Sequence, residues 1–343
     1  MLKINRKTLL LSLLLSFPLL PACAQIDTIK TTQSLSALSN LYQYHLLDSQ
    51  SQSPLSLDNL ARHLSKSDVI FIGELHTHQA SHLLQMQLLE RLYQQNPQII
   101  LSMEQFSRQH QSTLDDYLEG KYGEKTLIED ADAWENYRGS YRPLVEFARQ
   151  NKIPIIAANA PNMFVRCVGR RGPEVLEKIP ENQRGWVAEK LDLENPTYKK
   201  KFMSHMRHAG KSHGLEPEEQ ERRINNTYAA QLLRDTTMAE SIAKAKKAYP
   251  EHQIIHLNGA FHSDSHLGTV AILKDLIPNI ENVVISPVSV ENNRQPTVTE
   301  KEYQQGDYLY LIQELPERYM DRDKMNESII KLIEKRKKEK CTL

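Results

Sequence analysis

Five short runs rich in β-branched residues, each separated from the next by a stretch long enough for a helix, constrain this chain more than any other feature. They are residues 68–73 (DVIFIG), 98–103 (QIILSM), 153–158 (IPIIAA), 253–259 (QIIHLNG) and 282–286 (NVVIS). Near-continuous Ile and Val within a run means burial on both faces, and strands alternating with helices signal an α/β fold with a mainly parallel sheet wound with helices. A sixth run, residues 308–315 (YLYLIQEL), alternates and reads as an edge strand. Only 12 of 343 residues are glycine, against a usual ~7%, which disfavours a turn-dense all-β fold. The chain is long enough for one large domain or two modest ones, and its 40% apolar content excludes global disorder. Basic and acidic residues balance at 43 each, so no net field draws the chain to nucleic acid.

Between the runs, residues 79–95 place Leu83, Leu84, Met86, Leu88, Leu89 and Leu92 at helical spacing, and residues 141–150 do the same with Leu144, Val145, Phe147 and Ala148. After Asn159 the alternation stops. Residues 174–249 are almost all helix-forming and highly charged, broken by Pro180, Pro196 and Pro217, and read as an inserted helical lid subdomain. Residues 322–343 close the chain as a charged helix, read as solvated because its terminal lysines suit the helix dipole.

The N-terminus sets the expected compartment. Lys3, Arg6 and Lys7 precede a mostly leucine stretch too short to span a bilayer, the pattern of a secretory signal over residues 1–22. It ends Leu20-Pro21-Ala22-Cys23, which resembles a bacterial lipobox. On that reading Cys23 is diacylated, with two acyl chains giving stable anchoring, and residues 23–57 form a lipid-anchored tether. Ala24 stands where an acidic residue is associated with inner-membrane retention, so the expected location is the outer membrane, periplasmic or surface-exposed. Cys167 and Cys341 would then meet a compartment that permits disulfides, but their spacing leaves pairing open.

Polar residues cluster where the apolar runs end: Gly73-Glu74-Leu75-His76, Glu104-Gln105-Phe106, Asn159-Ala160-Pro161 and Gly259-Ala260-Phe261-His262. Ligands of open α/β sheets sit outside the carboxyl ends of the strands, so Glu74, His76, Glu104 and His262 are expected to share one crevice. Such a set can bind a divalent metal through His76, His262 and Glu74 or Glu104, with the other glutamate as a base, the equipment of a metal-dependent hydrolase. His78 and His82, four apart, read either as a metal pair or as capping and surface imidazoles.

The stretch FIGELHTHQASHLLQMQLLERL resembles the opening of the ChaN family of haem-binding lipoproteins, which groups with the Tiki, TraB and erythromycin-esterase-like proteins. MEQFSRQHQSTLDDYLEG, YRPLVEFARQNKIPIIAANAP, AAQLLRDTTMAESI and LNGAFHSDSHLGTVAIL continue the likeness in order, from about residue 58 to 287. The resemblance implies an α/β domain over residues 58–321 with a helical insertion, an outer-membrane lipid anchor, and haem in a pocket shared by a homodimer. It carries over onto Glu74, His76, His82, Glu104, Tyr141, Asn159, Gln231, Asp235 and His262. It departs in residues 196–216.

That segment has its own signal. Haem iron takes His, Met, Tyr or Cys, and Tyr198, Met203, His205, Met206, His208 and His213 all fall within it, among Lys199, Lys200, Lys201, Arg207 and Lys211 that suit haem propionates. These donors favour a haem-binding lipoprotein of uptake or storage, served by an outer-membrane haem receptor, over the alternative of a metal-dependent peptidase or esterase.

Overall fold

The computed structural model describes residues 35–208, 216–339 and Cys341; Cys23 and His213 lie outside them, as does the His208 side chain. The strands are β1 Tyr44–Asp48, β2 Ser53–Leu55, β3 Val69–Glu74, β4 Ile99–Ser107, β5 Ile155–Asn159, β6 Gln253–Gly259, β7 Asn282–Val290 and β8 Tyr308–Gln313. They form one sheet in the order β2-β1-β8-β7-β3-β6-β4-β5. All pairings from β8 through β5 are parallel, and β1 runs antiparallel to both β2 and β8.

The helices are α1 Leu57–His63, α2 Gln79–Gln95, α3 Gln111–Leu118, α4 Glu124–Asp130, α5 Tyr137–Ser140, α6 Arg142–Asn151, α7 Asn162–Arg171, α8 Glu181–Arg184, α9 Pro196–His208, α10 Pro217–Ala248, α11 Thr269–Leu276 and α12 Arg322–Lys338. Their placement follows from the period of two in the strands. Ile70 and Ile72 of β3 join one core with Leu84 and Leu88 of α2 and Leu144 of α6. Val69 and Phe71 face the other way, onto Ala239 and Ile242 of α10 and Val270 and Leu273 of α11. Each β3 side chain is buried, as the apolar run required.

Three expectations change. β8 is interior because β1 pairs with the side that β7 leaves open, and both of its faces are covered: Tyr310 and Ile312 pack toward α2 while Leu309 and Leu311 meet Leu38, Leu47 and Val288. Its alternation of Tyr with Leu looked half-polar, yet Tyr310 buries its ring and donates its hydroxyl to the Gly73 carbonyl at 2.6 Å. The segment expected as tether supplies β1 and β2 from Tyr44 onward, held by buried Leu46 and Leu47. The helical insertion starts at Asn162 rather than near residue 174, and its longest helix is no detached lid, since α10 runs from Tyr228 under α9 to Ile242 in the sheet core.

Cys167 and Cys341 are paired, with Cα atoms 5.2 Å apart, and this disulfide fastens the chain beyond α12 to α7.

Candidate functional site at the strand ends

β3 delivers Glu74, fully buried, to the carboxyl edge of the sheet. Its carboxylate accepts from His76 Nδ1 at 2.8 Å, Gln85 Nε2 at 2.6 Å, Gln105 Nε2 at 3.2 Å and the Tyr141 hydroxyl at 2.6 Å. Burial alone would raise this carboxyl, but the His76 hydrogen bond, the His82 and His76 imidazoles and Tyr141 outweigh it and hold Glu74 below its ordinary range. The cost falls on Tyr141, whose hydroxyl is pushed far up by burial and by the carboxylate beside it. His76 itself is half-exposed, edge-on to Trp134 at 5.0 Å. Burial opposes its charge, yet the Glu74 bond and the Glu104 and Glu74 charges raise it overall.

A second pair lies beside the first. Glu104 Oε2 accepts from the Gly259 backbone N–H at 2.6 Å, and its Oε1 is 3.4 Å from His262 Nε2. The other ring nitrogen of His262 is 2.7 Å from Asp235 Oδ1, and Asp235 also accepts from the Tyr198 hydroxyl at 2.7 Å and from Thr269 at 2.9 Å. Desolvation opposes charge on His262, but the Glu104 and Asp235 carboxylates overcome it and push the imidazole up to about 10. Glu104 is correspondingly held far below the carboxylate range, the His262 and His76 charges and the Gly259 bond outweighing its burial. Gly259 leaves room for the His76 ring, since a Cβ there would stand 2.7 Å from His76 Cε1 and push the ring aside. Asn159 fixes the end of β5 by donating to the Glu104 carbonyl at 3.0 Å.

His78 and His82 are both buried rather than on the surface. His78 caps α2 by accepting from the Ala80 N–H and uses its other nitrogen on the Gln313 carbonyl. His82 lies between Gln85 and the His76 carbonyl.

The two pairs form the floor of a cleft of about 650 Å³, into which Glu74, His76 and His262 open. Its opposite wall is α9 with Phe202, His205 and Met206; Phe261, Leu75, Leu315 and Arg318 complete it. The lid candidates therefore divide. His205, exposed, packs its ring 5.1 Å from that of Phe261 and, among the described residues, makes no hydrogen bond or ion pair. Met206 is half-buried beside it, and Met203 packs into the cluster beneath. Tyr198 is 1% exposed and committed to Asp235, so the structure removes it from the cleft as an iron ligand. Lys201 donates to the carbonyls of Phe261 and Asp264, at 3.1 and 2.9 Å, which withdraws it from the propionate role. Arg318 and Trp134 sit outside any motif and Leu315 only ends the sixth apolar run, so all three reach the site only through folding.

The sequence pattern described as "Haem-binding uptake, Tiki superfamily, ChaN" matches residues 60–273, well over half of the chain. The chain belongs to this family. Among solved structures it is similar to the ChaN protein of Campylobacter jejuni described with cofacial haem binding, at 18% identity, a TM-score of 0.60, and coverage of 79% of this chain and 97% of that one. An erythromycin esterase mutant in its open conformation is a looser match, at 13% identity and a TM-score of 0.41 over 84% and 87% of the two chains. No curated protein matches.

For a ChaN-family chain the donor set can be tested against haem. The cleft offers a broad apolar wall, an imidazole at His205 that among the described residues has no hydrogen-bond or ionic partner, a thioether at Met206 and a cation at Arg318, and its volume falls in the ~300–1,000 Å³ of small-molecule sites. These residues fit a porphyrin. The divalent-metal set of His76, His262 and Glu74 fares otherwise. Both ring nitrogens of His262 face carboxylates, His76 Nδ1 is taken by Glu74, and among the described residues no three His, Cys, Asp or Glu side chains are disposed to hold a metal. Among the described residues the metal set of the hydrolase alternative is therefore not assembled.

Proposed function

We propose that this chain is a lipid-anchored haem-binding protein that carries or stores haem during uptake. Haem lies in the cleft between α9 and the strand ends, with His205 as the iron ligand and Met206 and Phe261 against the porphyrin. The carrying observation is the position of His205, a cleft imidazole with no hydrogen-bond or ionic partner among the described residues, since an iron ligand needs a free nitrogen lone pair. Family membership and the cofacial haem of the Campylobacter ChaN support the reading, and a second copy closing the open side of the cleft would bring two haems face to face. Delivery to or from an outer-membrane haem receptor belongs to the same proposal.

Titration of the purified chain with haemin should give a saturable shift of the haem absorption band. A band identical to that of free haemin at every ratio would defeat the proposal. The anchor rests on the lipobox-like Leu20-Pro21-Ala22-Cys23. Cys23→Ser should convert a chain that needs detergent for extraction into one released by salt.

A further inference from the structure

We infer that α12 is a membrane-surface helix that seats this protein on an anionic lipid face, independently of any acyl chain. Every described side chain from Arg322 to Lys338 is exposed except half-buried Ser328. Among them Met325, Ile329, Leu332 and Ile333 recur at helical spacing and form one stripe, exposed by 37%, 46%, 47% and 47%. Met320, just before the helix, is 91% exposed. Lys324, Lys331, Lys335 and Lys338 line the other side at the same period. Between Arg322 and Lys340 there are eight Lys or Arg against four Asp or Glu.

An apolar stripe left bare on a helix is costly in water, and a solvated role gives it no partner. The helix is nevertheless fixed. Asp321 caps its start by accepting from the Lys324 N–H at 2.9 Å. At its end Glu339 pairs with Arg166 at 3.2 Å, and the Cys167–Cys341 disulfide follows. A helix tied to the body at its carboxyl end, with its apolar stripe exposed, presents that stripe to something outside the chain. The excess of cations decides what: anionic headgroups attract a basic amphipathic helix while its apolar side enters the acyl boundary. Among the described residues no helix is long and apolar enough to cross a membrane, so α12 lies on the bilayer. Leu315 and Arg318, a few residues before α12, line the cleft, which sets the cleft mouth near the lipid.

The test uses the chain from position 23 onward carrying Cys23→Ser, so that no acyl group contributes. It should sediment with vesicles of phosphatidylglycerol and phosphatidylethanolamine and far less with phosphatidylcholine alone. Ile329→Asn with Ile333→Asn should lower that binding about tenfold, as should Lys331→Glu with Lys335→Glu or raised salt. These positions are exposed, so melting temperature and haem titration should stay unchanged. Absence of binding to the anionic vesicles, or binding that neither double variant reduces, would overturn the inference. Self-association at rising concentration that the isoleucine variant abolishes, without vesicle binding, would assign the stripe to a second copy and overturn it equally.

Discussion

On the floor of the cleft the ionisable groups are spent on one another, whereas on the α9 wall they are not. Glu74 is bound by four side chains and His262 is clamped between Glu104 and Asp235. His205, within the same cleft, packs against the Phe261 ring and, among the described residues, has no hydrogen-bond or ionic partner. The difference separates two jobs that the sequence presents in one vocabulary of His, Glu and Met. A buried imidazole with a carboxylate on each nitrogen is favoured as a cation and has neither nitrogen turned to the cleft for a ligand. An exposed imidazole on an apolar wall keeps one for a ligand.

The contrast predicts its largest effect on stability. His262→Ala leaves Glu104 and Asp235 as facing buried carboxylates without their cation, and breaking such a pair costs ~3–5 kcal/mol. Urea denaturation followed by circular dichroism should show a loss of that order. A loss under ~1 kcal/mol would mean the floor is not held by its charge pairs.

The reverse signature belongs to the wall. His205→Ala should change stability by no more than ~0.5 kcal/mol, as exposed substitutions do, and weaken haem at least tenfold, about 1.4 kcal/mol of binding. His76→Ala should weaken haem less, because that ring is already tied to Glu74. Spectral titration of both variants decides: a lost band shift in the His76 variant with an intact one in the His205 variant would put the ligand on the floor and invert the comparison.

How far the sequence reached follows the same line. Apolar runs ending in Gly-Glu and Gly-Ala-Phe-His were enough to place Glu74, His76, Glu104 and His262 at one sheet edge, because a parallel strand buried on both faces must release its polar residues at its end. What those residues do to each other was not legible, since Asp235 comes from the middle of a 32-residue helix and Tyr198 from another. Only the fold brings Asp235 to His262 and thereby turns a candidate metal ligand into a cation. Donor content does not say which side of a helix faces the core: His205 and Met206 line the cleft, whereas Tyr198 is buried on Asp235. β1 (YHLLD) and β2 (SPL) are too short, and too poor in β-branched residues, to carry a β signal away from the sheet that recruits them.

A pH series sharpens the floor. His262 is raised from an ordinary 6.5 to about 10, so its contribution to stability is complete below pH 6.5 and is lost as pH rises through about 10. The melting temperature should fall between pH 7 and 10 by on the order of a few degrees, and His262→Gln, less stable throughout, should show a flatter slope. Glu74, held below its ordinary 4.5, acts in the opposite sense, stabilising above that value and failing as pH drops through its folded value. A wild-type profile that rises from pH 7 to 10 would show that His262 is not the charged member of the floor.

The smallest effect is expected at the mouth. Arg318 is exposed, lines the cleft and, among the described residues, makes no ion pair or hydrogen bond, so its guanidinium is available to a propionate in a way that Lys201, held by two backbone carbonyls, is not. An exposed pair of this kind contributes ~0.2–1 kcal/mol and is screened by salt. Arg318→Ala should therefore weaken haem by roughly two- to fivefold at low salt, with the difference from wild type closing as salt rises. Lys201→Ala should instead loosen the packing of α9 on Phe261 and lower the melting temperature, leaving the salt dependence of haem binding where it was. If the two variants exchanged these signatures, the mouth of the cleft would be organised like its floor, and the division between paired and unpaired groups would hold only for the imidazoles.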